Sequence, residues 1–176
     1  GVIAQLVGTQ AVLDPADAVA SWLSLPEALS ALEQRSAASL DHFLAGTNPI
    51  RTAYTSGNCP TVAETWHGTE YYDSVARARP FSESRYTADR SCLFVHLGFF
   101  FDGFQAFESD KTSVIIMSLM GVSKVLADKL DLHLPLCLFR ESKAVDPLEA
   151  TLMRLKPQME QLARGLDFTA KGGRQY

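Results

Sequence analysis

The apolar residues in the first quarter of the chain recur at helical spacing. In DPADAVASWL, Asp14 is placed to cap a helix that has Pro15 in its first turn. In SLPEALSALEQRSAASLDHFLAG, Ser24 and Glu27 have the spacing of a capping box, and Gly46 is a typical helix stop. Five leucines of this segment lie near one helical face: Leu25, Leu29, Leu32, Leu40 and Leu44. The pattern predicts two N-terminal helices.

The pattern changes in the middle of the chain. GTNPIRTAYTSGNCPT is rich in Gly, Pro, Asn, Ser and Thr, which predicts a loop, and TWHGTEYYDSVARAR predicts a turn followed by a short helix. Three apolar segments rich in aromatic or β-branched residues then predict three strands: SCLFVHLGFFFDGFQAF, KTSVIIMSLMGV and LHLPLCLFRES. SKVLADKLD, between the last two, predicts a short helical turn.

The clearest helical pattern is DPLEATLMRLKPQMEQLARGL. Asp146 is placed as its cap, Pro147 fits its first turn, and Glu149 has the position of a capping-box acid. Pro157 predicts a kink or a second start, and Gly165 predicts the end. One apolar stripe runs along it: Leu148, Leu152, Leu155, Met159 and Leu162. The terminal KGGRQY is typical of a flexible tail.

The order of these elements predicts an α+β fold. N-terminal helices precede a three-stranded antiparallel meander, with one helix packed on the meander. We divide the chain into an N-terminal helical segment with its loop (1–58), a connecting helix and loop region (59–90) and a strand-rich half-domain (91–176). A length of 176 residues is sufficient for one sizeable core.

Composition narrows the function classes. The net charge of −4 argues against a protein that binds nucleic acid over its whole surface, although a local basic patch is compatible with it. Cys59, Cys92 and Cys137 form no CxxC pair and indicate reduced thiols in an intracellular protein. The longest apolar runs are about half the ~20 residues of a membrane helix, so we expect no membrane span. GVIAQLVG lacks the basic region of a signal peptide, and a start without Met favours a fragment or a processed product.

Asp102 is the main candidate for a functional residue. It follows the apolar run LGFFF and precedes Gly103. A carboxylate at a strand end in apolar surroundings is penalised in its charged form, and a divalent cation would reverse that penalty. Asp-Gly is also a common hairpin turn. The residue types alone favour the turn, and both interpretations stay open.

A loosely basic stretch is the second candidate. Phe81 and Tyr86 are interleaved with its arginines, an arrangement that suits phosphate contacts and equally suits a solvated surface loop. The candidate nucleic-acid-binding residues are Arg77, Arg79, Arg85 and Arg90.

Three segments resemble the transposases of CACTA (En/Spm)-type DNA transposons. TWHGTEYYDSV resembles the glycine-aromatic segment that precedes the catalytic domain of that family. VHLGFFFDGFQAFESDKTSVIIMSL resembles its first catalytic strand, Asp-Gly and second strand. LPLCLFRESKAVDPLEATLMRLKPQMEQLARGL resembles its third strand and following helix. The resemblance covers about residues 24–168.

The resemblance implies an RNase H-like fold and a DDE mechanism. Three acids would hold two Mg²⁺ ions for in-line attack on DNA, and Asp102 would be the first acid and a metal ligand. The family's second acid comes after the helix, near a fourth strand, and its third acid comes later. We therefore expect a half-domain of a DDE enzyme, or a domesticated descendant in the nucleus, that is inactive as this chain alone.

The alternative is a non-catalytic structural subunit without a cofactor. An incomplete sheet has an edge that can pair with another protein chain or with a second copy of this one. The net acidity of the chain and the missing second and third acids favour this alternative, and the Asp-Gly context with the order of segments favours the transposase.

Overall fold

A computed structural model of the chain describes residues 5–7, 10–58, 61, 63–77, 92–107, 110–140 and 147–176. The elements in chain order are β1 (Gln5–Val7), β2 (Gln10–Val12), α1 (Pro15–Leu23), α2 (Pro26–Ala45), α3 (Pro49–Thr55), a 3₁₀ turn (Thr65–His67), α4 (Thr69–Arg77), β3 (His96–Phe107), β4 (Asp110–Met120), α5 (Lys124–Leu130), β5 (His133–Arg140) and α6 (Pro147–Arg164). The α+β class is confirmed.

The ends of the N-terminal helices follow from a few polar and glycine residues. Oδ1 of Asp14 accepts a hydrogen bond from the Ala16 amide at 2.8 Å, which caps α1 as predicted. Gly46 ends α2 at a φ of +63°, a conformation that glycine adopts without strain. The predicted capping box at Ser24 is wrong, because the Ser24 hydroxyl donates to the carbonyl of Ala20 at 2.8 Å and so closes α1.

Helix α3 corrects the loop predicted in GTNPIRTAYTSGNCPT. The Asn48 side chain accepts from the Arg51 amide at 3.0 Å, and Pro49 opens the helix. Arg51 also forms a 2.6 Å ion pair with Asp73 of α4. The hydrogen bond from Asn48, with help from Arg51, lowers the pKa of Asp73. A polar contact therefore fixes α3 against α4.

The sheet has the strand order β1-β2-β5-β4-β3, and every pairing is antiparallel. Strands β3, β4 and β5 form the predicted meander. The two short strands β1 and β2 were not predicted, and β2 adds to the meander through Ala11 opposite Leu138. In the register of the long strands, Phe101 lies opposite Ile115 and Ile115 lies opposite Cys137.

The two faces of the meander differ in what covers them. One face, the packed face, carries the buried residues Ile115, Met117 and Leu119 of β4, which share a core with α1, α2 and α6. Thr151 of α6 hydrogen-bonds the thiol of Cys137 on this face, and burial raises the pKa of that thiol. The helices of the first predicted segment and the strands of the third therefore share one core.

The opposite face of the meander is called the open face, and among the described residues its apolar side chains belong to neither of the two apolar clusters. Val114, in the centre of this face, is 8% exposed, and Leu138 beside it is 38% exposed. A one-residue shift between Ile115 and Ile116 in the pairing with β5 leaves Leu136 as an extra, fully buried residue.

Helix α6 runs without a break through Pro157, so the predicted second start is wrong. Pro157 has no N–H to donate to the carbonyl of Met153. Because Met153 is 62% exposed, water can donate a hydrogen bond to that carbonyl instead. Gly165 follows the helix at a φ of +103°, as its sequence position predicted. The predicted cap Asp146 lies outside the described residues.

The C-terminal residues form an ordered strap, Phe168 to Tyr176, and the prediction of a flexible tail is wrong. Phe168 and Tyr176 exchange two backbone hydrogen bonds of 3.1 and 2.9 Å, and the Tyr176 side chain is buried. The Tyr176 hydroxyl donates to Glu33 of α2, and Arg174 reaches the same carboxylate at 3.0 Å. Burial and the bond to Glu33 raise the pKa of Tyr176 to about 12.

Candidate functional site

Asp102 lies inside β3, which corrects both interpretations of its position. The strand continues to Phe107, and Asp102 pairs with Val114 while Gly103 pairs with Ser113. Asp-Gly is therefore neither a hairpin turn nor the end of the strand. The ladder with β4 outweighs the local turn preference, because each further pair adds hydrogen bonds to a hairpin already formed.

The Asp102 carboxylate is exposed on the open face, as expected for a functional acid at the edge of a sheet. Its Oδ1 accepts a hydrogen bond from the Gly103 amide at 2.8 Å. Its cross-strand neighbours are apolar, since Asp102, Val114 and Leu138 form one row across β3, β4 and β5. The carboxylate therefore lies beside apolar side chains, with one face toward water.

The outer edge of β3 is the most unusual surface of the sheet. Within the described ranges, β4 is the only strand that pairs with β3. Phe99, Phe100 and Phe101 are 45, 52 and 52% exposed along this edge. Phe101 also stacks on Phe139 of β5 with ring centroids 6.1 Å apart. An edge of this kind offers free backbone donors and acceptors beside large apolar side chains.

The basic stretch is described only at its first residue. The Arg77 guanidinium forms an ion pair with Glu70, about two turns earlier on α4. Arg79, Arg85 and Arg90 lie outside the described residues. The predicted nucleic-acid contact of these four arginines stays a prediction.

A polar cluster at the start of β3 was not predicted from the sequence. The Tyr71 ring of α4 stacks on the His96 ring at 4.3 Å between centroids, and Nε2 of His96 lies 2.6 Å from the Ser74 hydroxyl. Because Ser74 donates its proton to the Tyr71 carbonyl at 2.7 Å, it accepts from Nε2 of His96. The Tyr71 hydroxyl lies 3.3 Å from that of Ser39 on α2.

The other ring nitrogen of His96 has no such contact. Its Nδ1 is buried and has no hydrogen-bond partner among the described residues. Desolvation lowers the pKa of His96, and burial raises the pKa of Tyr71. The cluster therefore holds a neutral imidazole between α4 and β3. The cluster forms only because α4 packs against the start of β3, so the spacing of its residues in the sequence does not predict it.

A cavity of about 720 Å³ adjoins this cluster and lies between α1, α4, the start of β3 and the end of α6. Its lining is mostly apolar, with Ser74, His96 and Tyr176 among the polar residues. Asp102 is not among its lining residues, so the cavity and the Asp102 surface are separate features.

Asp102 does not belong to a cluster of metal ligands in the described part of the chain. Within these ranges no group of three or more His, Cys, Asp or Glu side chains is arranged to hold an ion. One carboxylate supplies at most two of the six oxygen ligands that Mg²⁺ requires. Asp102 alone therefore fits only part of a magnesium site. No described helix has the length and apolar character needed to cross a bilayer.

The chain was compared with known proteins in three ways. Neither protein-family models, nor curated proteins, nor solved structures give a match to it. Its function must therefore be inferred from the residues and geometry described above.

Proposed function

We propose that this chain supplies the first acid of an RNase H-like, DDE-type DNA transposase domain, and that Asp102 is that acid. The observation that carries the proposal is the position of Asp102, which is exposed in the middle of a 12-residue apolar strand at the border of the meander. An antiparallel meander followed by helix α6 agrees with the element order that the resemblance implies.

The surroundings of Asp102 support a role as a metal ligand. Val114 and Leu138 line the row beside the carboxylate, so nothing in that row of side chains neutralises its charge. A rigid strand fixes the carboxylate better than a loop would, and a bound cation would compensate its charge. Asp102 would then hold Mg²⁺ together with acids from elsewhere, and the ion would stabilise the charge that develops on a DNA phosphate.

A strand that pairs with the outer edge of β3 would bring a second acid close to Asp102. Side chains directly opposite each other on paired strands have Cβ atoms about 4.5 to 5.5 Å apart. An acid opposite Asp102 on a strand paired with this edge would therefore be close enough to share one metal ion. Among the described residues, Asp102 belongs to no group of three or more potential metal ligands. We accordingly expect this chain alone to lack nuclease and strand-transfer activity.

DNA cleavage tests the proposal. The protein encoded by the complete reading frame that contains this sequence should cut transposon-end DNA with Mg²⁺ or Mn²⁺, and D102N should reduce cutting to background. The matched control is D128N, which changes an exposed acid of α5 and should retain activity. Full activity of D102N would refute the role of Asp102. Metal-dependent cutting by the 176-residue chain, lost in D102N, would refute the requirement for further acids.

A second function, a structural subunit that binds another chain, is favoured by the exposed phenylalanines. A strand of the partner, added to the outer edge of β3, would cover Phe99, Phe100 and Phe101. This function requires no metal, and D102N would leave it intact.

A further inference from the structure

We infer that two copies of this chain pair through the outer edges of β3, in an antiparallel register centred on Phe100. The pairing follows from the edge itself. Its regulatory consequence rests on the proposed function, because the same edge would be needed for a second acid.

The edge of β3 lacks most of the features that prevent strand pairing, and its one acidic side chain is Asp102. Natural edge strands are commonly short, bulged, or carry Lys or Pro. β3 is 12 residues long, HLGFFFDGFQAF, and contains neither Lys nor Pro. Its ladder with β4 is regular from His96 to Gln105, with the first irregularity between Gln105 and Phe107. The first ten residues are therefore held extended as a template for a second strand, apart from the Gly103 amide, which donates to Asp102.

Symmetry restricts the register. In a dimer with a two-fold axis perpendicular to the sheet, residues that lie opposite each other must have side chains on the same face of the sheet. This condition is met only when the axis lies at a residue, which is then opposite the same residue of the second copy. When the axis lies at Phe100, Phe99 of each copy is opposite Phe101 of the other copy, and Asp102 is opposite Gly98. Centres on either neighbouring phenylalanine set a phenylalanine opposite a glycine, and a centre on Asp102 sets two like charges opposite each other. The Phe100 register therefore gives the most aromatic pairs without charge repulsion.

The area involved indicates a weak dimer. A buried phenylalanine covers roughly 150 to 250 Å², so three half-exposed rings in each copy contribute about 600 Å² in total. The backbone of the paired strands adds to this area, which then approaches the lower limit of specific interfaces. We expect a concentration-dependent dimer with a dissociation constant in the micromolar range.

Self-pairing would also prevent assembly of the proposed catalytic site. In the Phe100 register the two Asp102 residues are four strand positions apart, which corresponds to roughly 14 Å. Two carboxylates at that separation cannot share a metal ion. The paired edge would also exclude any strand that carries a second acid. The dimer is therefore an inactive form, in competition with the assembled site.

Cysteine cross-linking tests the register. In the dimer the two Cα atoms of residue 100 lie about 4.5 to 5.5 Å apart, which suits a disulfide. F100C should therefore form a 100–100 cross-link under mild oxidation, identified by mass spectrometry of the linked peptide. The matched control is F99C, because its two Cα atoms would lie roughly 8 Å apart, beyond disulfide reach. Equal or preferred cross-linking of F99C would overturn the register.

Sedimentation equilibrium tests the dimer itself. The mass should rise from 19.3 kDa toward twice that value across the micromolar range. F100D should remain monomeric, and L152D, at an exposed leucine of α6, should still dimerise. A monomer at all concentrations, or a dimer that persists in F100D with unchanged circular dichroism, would overturn the inference. If instead the dimer forms as expected and D102N has full cleavage activity, only the proposed function fails.

Discussion

Acidification should destabilise the chain through His96. The imidazole lies between α4 and β3, where Nε2 donates to Ser74 and buried Nδ1 has no partner among the described residues. Protonation would place a buried N–H on Nδ1 without an acceptor. The facing ionisable side chain is the Tyr71 phenol, which is neutral at these pH values, so no carboxylate of the cluster would compensate the new charge.

The sign of the effect follows from the direction of the pKa shift. Burial lowers the folded-state pKa of His96 below its ordinary value near 6.5. The unfolded chain therefore binds the proton first as the pH falls, and stability decreases from about pH 6.5 down to the folded-state pKa. The slope is at most about 1.4 kcal/mol per pH unit for one proton. Desolvation of the charged imidazole is the main cause of this loss, and the unsatisfied N–H on Nδ1 adds to it.

Urea denaturation between pH 7.5 and 5 measures this loss of stability. This range includes the ordinary histidine pKa of ~6.5. H96Q removes the titrating group, so its stability should change less with pH than that of the parent chain. H42Q is the matched control at a partly exposed histidine of α2 and should retain the parent's pH dependence. If H96Q and the parent lose stability equally on acidification, His96 is not the responsible group.

Two further predictions concern packing and the strap. Leu32 is fully buried, so L32A should lower the free energy of unfolding by about 3 kcal/mol or more, whereas L152A at an exposed position should change it by less than about 0.5 kcal/mol. Y176F should cost about 1 to 2 kcal/mol because it removes the hydrogen bond to Glu33, while Y54F at an exposed tyrosine should be neutral. Urea denaturation measures both pairs, and equal effects within a pair would contradict the respective contact.

The predictions that succeeded rest on local signals. The three long strands follow from apolar runs, and α1 follows from Asp14 and Pro15, because these preferences act within a few residues. Asn48 and Pro49 carry the same cap signal for α3, but the surrounding Gly, Ser and Thr residues suggested a loop. The correct local signal was present and was outweighed by composition.

The predictions that failed depend on tertiary pairing. Asp102-Gly103 has the local preference of a turn, and only the ladder with Val114 and Ser113 shows that the strand continues. Strands β1 and β2 are too short to give a periodic signal and are defined by pairing with each other and with β5. The His96 cluster likewise joins two residues, Ser74 and His96, that are 22 positions apart in the sequence. The exposure of Asp102 and its apolar surroundings were expected, whereas its cross-strand neighbours Val114 and Leu138 are defined by the register of the sheet.

The connectivity of the sheet has a consequence for the order in which the protein assembles. Strands β3, β4 and β5 are consecutive strands of the chain, with only the short helix α5 between β4 and β5, so the meander closes only short connections and can form quickly. Strand β2 can pair only after β5 has been synthesised. Glu33 can accept its hydrogen bond only after the synthesis of Tyr176, which follows 143 residues later. During synthesis the N-terminal helices therefore emerge long before the residues that complete their packing. We expect the phenylalanine edge of β3 to be exposed before the rest of the sheet is complete, which makes this stage the most susceptible to aggregation.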